Sequence, residues 1–418
     1  MYCIYSVLYS LAVFVLLIPQ YLKRPAGLRR RWLREKFGQV SGLADAGGKR
    51  PFWIHAVSVG EVTAAIPFLE KMQNAYPERP LVLSTMTDTG QNLALSKVPE
   101  GVRVIYMPFD SVCVMRRFFD RLAPALFVVV ETEIWPNVIR LAHDKGIPVI
   151  MVNGRISGRS FRGYRRIRGF MKKVLGSVTL FLMQTADDAE RIHLLGAAAD
   201  KVLVSGSFKF DIPDLREIPS WASGIEGPII VAGSTHAGEE VLMIEALKRN
   251  LGQFPALKLI LAPRHPERFH EVEEAVSASG LSYIRRTSIP DTGGPVESGV
   301  NVVILDSIGE LSAVYGSADI AVIGKSFTSA GGQNPLEPAM WGKAIICGPH
   351  MENFPFIAEF YREGAAFEVP AEGLADKIGE LLRDVKKGEA AGQKARALYT
   401  RNAGAVGRVV ETLKKYIR

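Results

Sequence analysis

Short apolar runs alternate with helix-like segments along almost the whole chain, and this alternation limits the fold more than any other feature. Residues 52–56, 81–85, 102–107, 126–130, 148–152, 180–184 and 202–206 read as strands. Segments 61–76, 111–122 and 136–145 between them read as helices. Strands this rich in Val, Ile and Leu, separated by helices, predict a parallel, doubly wound sheet covered on both faces. The pattern breaks at 211–228, where Asp, Pro, Ser and Gly accumulate in a polar, turn-rich linker. A second series then begins at 229–233, 257–262, 302–305, 320–323 and 344–347. The expectation is an α/β chain of two Rossmann-like domains facing a cleft. A length of 418 residues, 48% of them apolar, supplies ample core for two domains.

The amino-terminal end follows another rule. Residues 2–20 carry no charge and are mostly Leu, Val, Ile, Phe and Tyr. A helix of about 20 apolar residues can cross a bilayer. Lys23, Arg24, Arg29, Arg30, Arg31, Arg34 and Lys36 follow, against the single acid Glu35. This bias predicts an uncleaved membrane anchor over 1–22, with the rest of the chain cytoplasmic. No basic stretch precedes the apolar run and no Ala-x-Ala site follows it, which argues against a cleaved signal peptide. Spanning the bilayer and embedding in one leaflet both stay open. The net charge of +8 suggests anionic partners. Cys3, Cys113 and Cys347 are scattered and suggest neither a disulfide framework nor a zinc site.

Several runs carry chemistry. In Trp53-Ile-His-Ala-Val-Ser-Val-Gly-Glu61 a strand enters a small-residue turn that delivers a carboxylate. Glu61 then stands at the mouth of an open α/β sheet, where such folds bind ligands, and a helix N-terminus favours its charge. An ordinary first-turn glutamate is the other reading. Glu131-Thr-Glu-Ile-Trp-Pro-Asn137 places two more carboxylates at a strand's carboxyl end. Two carboxylates alone make a poor metal site, so a hydrogen-bonding role or a plain acidic helix start fits better. Residues 153–173 hold Arg155, Arg159, Arg162, Arg165, Arg166 and Arg168, interleaved with Phe161, Tyr164 and Ile167. A surface lying on anionic lipid fits this mixture, as do an RNA-binding stripe and a solvated basic helix. The anchor favours lipid.

The second half carries phosphate-type elements. Ser234 and Thr235 in Ala232-Gly-Ser-Thr-His236 precede a helix start, a pattern suited to anions. Arg264 in Pro263-Arg-His-Pro-Glu-Arg268 suits a phosphate or a carboxylate. Ile308-Gly-Glu-Leu311 is a further loop motif, and Gly331-Gly-Gln-Asn-Pro-Leu-Glu337 reads as a turn offering backbone amides to a diphosphate-type ligand and Glu337 to a ribose. Gly324-Lys-Ser326 is not a P-loop, because Asp319 stands where the earlier glycine is required. No His-Glu-x-x-His and no Asp-x-Asp metal pair occurs. A metal-independent transferase, or no transferase, follows.

Together these runs resemble the 3-deoxy-D-manno-octulosonate (Kdo) transferases of lipid A assembly. The matching pieces are 52–61, 131–137, Val152-Asn-Gly-Arg-Ile-Ser157, Lys209-Phe-Asp211, 232–236, 263–269 and Asn334-Pro-Leu-Glu337, in the family's order. The resemblance implies a GT-B glycosyltransferase on the cytoplasmic face of the inner membrane, with CMP-Kdo as donor and a phosphorylated lipid A precursor as acceptor. It implies an acceptor domain over 23–212, a linker over 213–227, a donor domain over 228–390 and a carboxyl-terminal helix over 391–418 packing back toward the first domain. By similarity Glu61 is the general base. Pro263, Arg264, Ile308, Gly309, Glu310, Asn334, Pro335, Leu336 and Glu337 would bind the CMP moiety. Lys209, Arg264 and the amides around Ser234 and Thr235 would meet the charge on the departing phosphate, and Glu131 would orient the acceptor or Lys209. No cofactor and no nucleic acid are expected. The chain departs from the family at Lys325, Gln333 and Ser207, where Gly, His and Asn are usual. Another GT-B enzyme with a UDP donor, and a membrane-bound lipid or nucleic-acid binder without activity, are the rival readings.

Overall fold

The computed structural model describes residues 1–40, 48–212, 217–291, 296, 299–328 and 331–417. The expected linker, 213–227, lies partly outside these residues. The chain divides into two compact units. The first is Met1–Asp211 with Ala403–Arg418, and the second is Ile212–Asn402.

The first unit is built on a seven-stranded sheet. Its strands are β1 (Phe52–His55), β2 (Leu81–Thr85), β3 (Arg103–Tyr106), β4 (Leu126–Val130), β5 (Val149–Gly154), β6 (Leu180–Met183) and β7 (Val202–Val204). They run in the order β3-β2-β1-β4-β5-β6-β7, all parallel. Successive residues point to opposite faces, and both faces are covered. Trp53, Phe127 and Val129 join one core, whereas Ile54, Val128 and Val130 join the other. Trp53 stacks on Phe127 at 4.0 Å between ring centres and donates to Ser84 Oγ at 2.8 Å. The doubly wound fold expected from the apolar runs is thus present.

The second unit repeats the plan. Its strands are β8 (Ile229–Thr235), β9 (Lys258–Pro263), β10 (Tyr283–Arg285), β11 (Val302–Ile304), β12 (Ile320–Ile323), β13 (Ala344–Cys347) and β14 (Phe367–Glu368). Their order is β10-β11-β9-β8-β12-β13-β14, again parallel throughout.

In each sheet the chain winds outward one way and then the other. The switch lies between β1 and β4 in the first unit and between β8 and β12 in the second. The carboxyl ends of strands at such a switch form the crevice where open α/β sheets bind ligands.

Three helices matter below: α1 (Tyr2–Leu22), α2 (Ala26–Lys36) and α3 (Val59–Ala75). By length and composition α1 is long and apolar enough to cross a membrane. The carboxyl-terminal segment is two helices rather than one. Val385–Asn402 belongs to the second unit and Ala405–Leu413 to the first, with Gly404 at φ +80° between them. Asp211 accepts the backbone N–H groups of Gly404 and Val406, so the end of the chain is fastened where the first unit hands over to the second.

Candidate active site

The first unit gathers its carboxylates at the switch. Helix α3 begins two residues before Glu61, with Ser58 as its extended N-cap, so Glu61 sits in the first turn rather than opening the helix. Ser58-Val-Gly-Glu61 has the spacing of a capping box. Glu61 accepts the Val57 N–H at 2.7 Å and the Ser58 hydroxyl at 3.0 Å. The side chain is 8% exposed. Burial raises its pKa against those hydrogen bonds, and the Glu131 charge raises it further. The capping role and a proton-accepting role are therefore compatible.

Glu131 follows β4, the strand beside β1. It holds φ +59°, a conformation that costs a non-glycine residue about 1 kcal/mol or more. Burial raises its pKa, while Lys209 and Arg155 lower it. Glu133 accepts from the Trp135 indole at 3.1 Å. Burial, then the charges of Glu61 and Glu131, push Glu133 up to about 7 despite that bond. Lys209 completes the group. Burial lowers its pKa, Glu131 opposes the shift and Arg155 adds to it. The neighbouring Phe208 stacks on Phe68 of α3 at 5.6 Å, and its N–H donates to Asn153 at 3.0 Å. The turn bearing Lys209 is thereby fixed to both α3 and β5. His55, in the same run as Glu61, is fully buried and pushed down to about 4 by burial, so it stays neutral.

Glu61, Glu131 and Lys209, all expected from the sequence, thus act on one another. Glu133 and Arg155 were missing from the expected set. The signal for Glu133 was its place in the 131–137 run, but its titration depends on Glu61 from the first turn of α3. One consequence concerns stability. A carboxylate whose folded pKa is raised favours the fold at acid pH and opposes it as pH rises through the folded value. Glu133→Gln should therefore melt a few degrees higher than the parent at pH 8.5, and the gain should vanish toward pH 5. Thermal unfolding across that range checks the sign; an equal shift at both pH values would show that Glu133 does not titrate near neutrality.

The second unit places Ser234 at the end of β8 and Lys325 just after β12, at its own switch. Both hold left-handed backbone, φ +55° and +56°. The strand ends approach so closely that a Cβ on Gly324 would lie 2.3 Å from the Ser234 carbonyl oxygen. One buried carboxylate unites them. Glu239 accepts backbone N–H groups from His236 (2.9 Å), Lys325 (2.7 Å), Ser326 (3.0 Å) and Phe327 (3.0 Å). Sequence reading saw Glu239 only as a helix start. Lys325 adds positive charge here: burial lowers the pKa of His236, and the charges of Lys325 and His265 lower it further.

The remaining expected residues divide. Arg264 is exposed beyond β9, and its N–H donates to the Thr235 carbonyl at 3.0 Å. Its charge opposes the rise that burial imposes on Glu337. Asn334 accepts the Leu336 N–H at 3.1 Å and starts the short helix Leu336–Met340, while Pro335 and Leu336 are buried as packing. Thr235 is fully buried, and its hydroxyl donates to Glu240 at 2.8 Å, so that group is committed within the protein. Glu310 pairs with Arg286 at 3.1 Å, and beside it Ile308 is 82% exposed and Gly309 holds φ +91°. The expectation for the Gly-Gly turn needs correction. Gly331 N–H donates to Glu352, Gly332 N–H to the Lys325 carbonyl and Gln333 N–H to the Gly324 carbonyl. These amides close the loop instead of facing a ligand. Among the described residues no three His, Cys, Asp or Glu side chains are grouped to hold a metal.

Residues 31–212 match the 3-deoxy-D-manno-octulosonic-acid transferase (kdotransferase) family. A 3-deoxy-D-manno-octulosonic acid transferase of Haemophilus influenzae is 33% identical over 93% of this chain and 92% of its own. The Bordetella pertussis enzyme of the same name is 33% identical over 94% of each. The chain belongs to the 3-deoxy-D-manno-octulosonic acid transferase family. As a member it is a glycosyltransferase, which removes the reading of a binder without activity. The fold is shared more widely: a UDP-GlcNAc 2-epimerase of Neisseria meningitidis, 11% identical, aligns with 87% of this chain and 100% of its own at a TM-score of 0.52.

Proposed function

We propose that this transferase moves Kdo from CMP-Kdo to a phosphorylated lipid A precursor, lipid IVA, at the cytoplasmic face of the inner membrane during lipopolysaccharide synthesis. The observation that carries the catalytic part is Glu61. It is a carboxylate at a topological switch, held by its own turn and made more basic by burial.

A sugar hydroxyl is a poor nucleophile. Glu61 takes its proton as the oxygen attacks the anomeric carbon of the donor, general-base help of about 10²–10⁴-fold. Attack from the face opposite the CMP inverts the anomer, through a transition state with oxocarbenium character. The C–O bond to CMP breaks and its electron pair leaves on the phosphate. Protein cations meet that charge, in the second unit Arg264 and, in this chain, Lys325. Glu131 orients Lys209. Asn334 and Glu337 hold the ribose side of the nucleotide. Ser234 lines the phosphate side, with Thr235 supporting it from beneath.

The donor assignment has a direct test. CMP at a hundred times its Kd should stabilise the protein by about 2.7 kcal/mol, whereas UDP should not. Arg264→Ala should weaken CMP binding at least tenfold and leave the melting temperature without ligand unchanged. Calorimetric titration reads the affinity and a thermal scan the melting temperature. Unchanged CMP affinity would remove Arg264 from the donor site, and equal protection by UDP would favour a UDP-sugar enzyme.

A further inference from the structure

Helix α1 is not free on all sides. Tyr5 donates its hydroxyl to Asp110 at 2.8 Å, and the Asp110 N–H donates to the Tyr9 hydroxyl at 3.1 Å. Asn137 donates to Ser6 Oγ at 3.0 Å. Asp110 also accepts the Asn137 and Val138 N–H groups, so the residue that holds α1 is itself locked to the start of helix Pro136–Asp144. Ring contacts continue the seam, from Tyr2 on Phe170 (5.2 Å) to Tyr21 beside Trp32 (6.5 Å). Val13 and Leu17 pack against the cluster of Trp32, Tyr106 and Phe109. The seam therefore runs nearly the whole length of the helix.

The other side of α1 is different. Ile4, Val7, Leu8, Leu11, Phe14, Val15 and Ile18 are all at least 60% exposed. At 3.6 residues per turn they fall within an arc of about 120°. The tyrosines and Ser6, with Val13 and Leu17, face the protein, and side chains without a polar group, Phe14 among them, face away. A spanning helix would drag this water-soluble unit, and the charges beside it, into hydrocarbon, which is strongly unfavourable. A helix lying in the interface buries only its apolar face, among the acyl chains just below the headgroups.

The charge around α1 complements an anionic surface. Past its carboxyl end, a pocket of about 570 Å³ is lined by Arg30, Arg31, Arg34 and Arg103, against one acid, Glu35, which pairs with Arg31. Near its amino end, Phe170 of helix Arg168–Gly176 touches Tyr2, and the preceding helix Gly158–Arg166 exposes Arg159, Arg162 and Arg165.

We propose that α1 does not cross the bilayer but lies along one leaflet of an anionic phospholipid membrane, fixed to the first unit by the Tyr5, Ser6 and Tyr9 contacts. The inference rests on the membrane reading of the proposed function and fixes its geometry. Arg159, Arg162 and the Arg30–Arg34 pocket then meet headgroup phosphates, and the amino terminus lies on the same side as both units.

The test uses the full chain with an epitope tag joined to Met1 by a flexible linker, in inverted membrane vesicles from expressing bacteria. Cys113, exposed in the first unit, marks the side occupied by that unit. In a Cys3→Ser background, which removes the other exposed thiol, an impermeant maleimide should label Cys113, and added protease should remove the tag as fully without detergent as with it. A labelled Cys113 with a tag protected until detergent is added would overturn the in-plane helix and leave the membrane reading intact. Protein that fails to float with the vesicles would overturn the membrane reading, and the in-plane helix with it.

Discussion

Glu61→Gln should cut transfer by about 10²–10⁴-fold while leaving the protein folded. Glutamine serves the third position of a capping box as glutamate does. Its one carbonyl oxygen keeps an acceptor for the Val57 N–H or the Ser58 hydroxyl. The loss is a single hydrogen bond, about 0.5–1.5 kcal/mol, so the melting temperature should fall by only a few degrees. What disappears is the basic oxygen. A single-turnover measurement separates chemistry from binding, and the deficit should appear in the chemical step, with CMP affinity unchanged. A variant with parental turnover would leave Glu61 as a capping residue and nothing more.

Glu239→Ala should have the second large effect, on structure first. Four N–H groups from two loops, those of Ser326 and Phe327 buried and those of His236 and Lys325 half-buried, converge on that carboxylate. An unsatisfied buried donor costs about 1–3 kcal/mol, and relaxation of the loops recovers part of the sum. A net loss of about 2–4 kcal/mol is expected, seen as a drop of roughly 5–15 °C in melting temperature. His236, two residues after the left-handed Ser234, and the left-handed Lys325 both donate to this carboxylate, so CMP affinity should fall at least tenfold. Arg264→Ala weakens CMP without a thermal shift, which distinguishes a contact from a support. If Glu239→Ala melts within 1 °C of the parent, the loops do not depend on Glu239.

How much was legible in the sequence follows from where each force originates. Strands buried on both faces read as continuous apolar runs, so β1, β4, β8 and β12 were evident. β10 and β14 were missed because they are edge strands, half-buried or exposed, with Tyr, Arg and Glu among their few residues. The break between the last two helices depends on Gly404 and on Asp211, nearly two hundred residues earlier, which no local pattern reveals. Glu131 was visible because it follows an apolar strand directly, and Glu61 because only a short small-residue turn separates it from one. Glu239 was not, because three of its partners lie in a loop 86 to 88 residues away. The Gly-Gly turn misled for the opposite reason. Its glycines promised amides for a ligand, but the carbonyls of Gly324 and Lys325 and the carboxylate of Glu352 take them. Lys325 stood out as a departure from the family. The structure shows it accommodated at φ +56°, its N–H bonded to Glu239.

The most direct test of the central claim is to incubate the purified protein with CMP-Kdo, made in place because it is labile, and lipid IVA, and to weigh the lipid by mass spectrometry. Product heavier by one or more Kdo residues, absent with Glu61→Gln, is the predicted result, and the mass also counts the additions. Unchanged lipid, from protein that CMP still stabilises, would contradict the proposed acceptor.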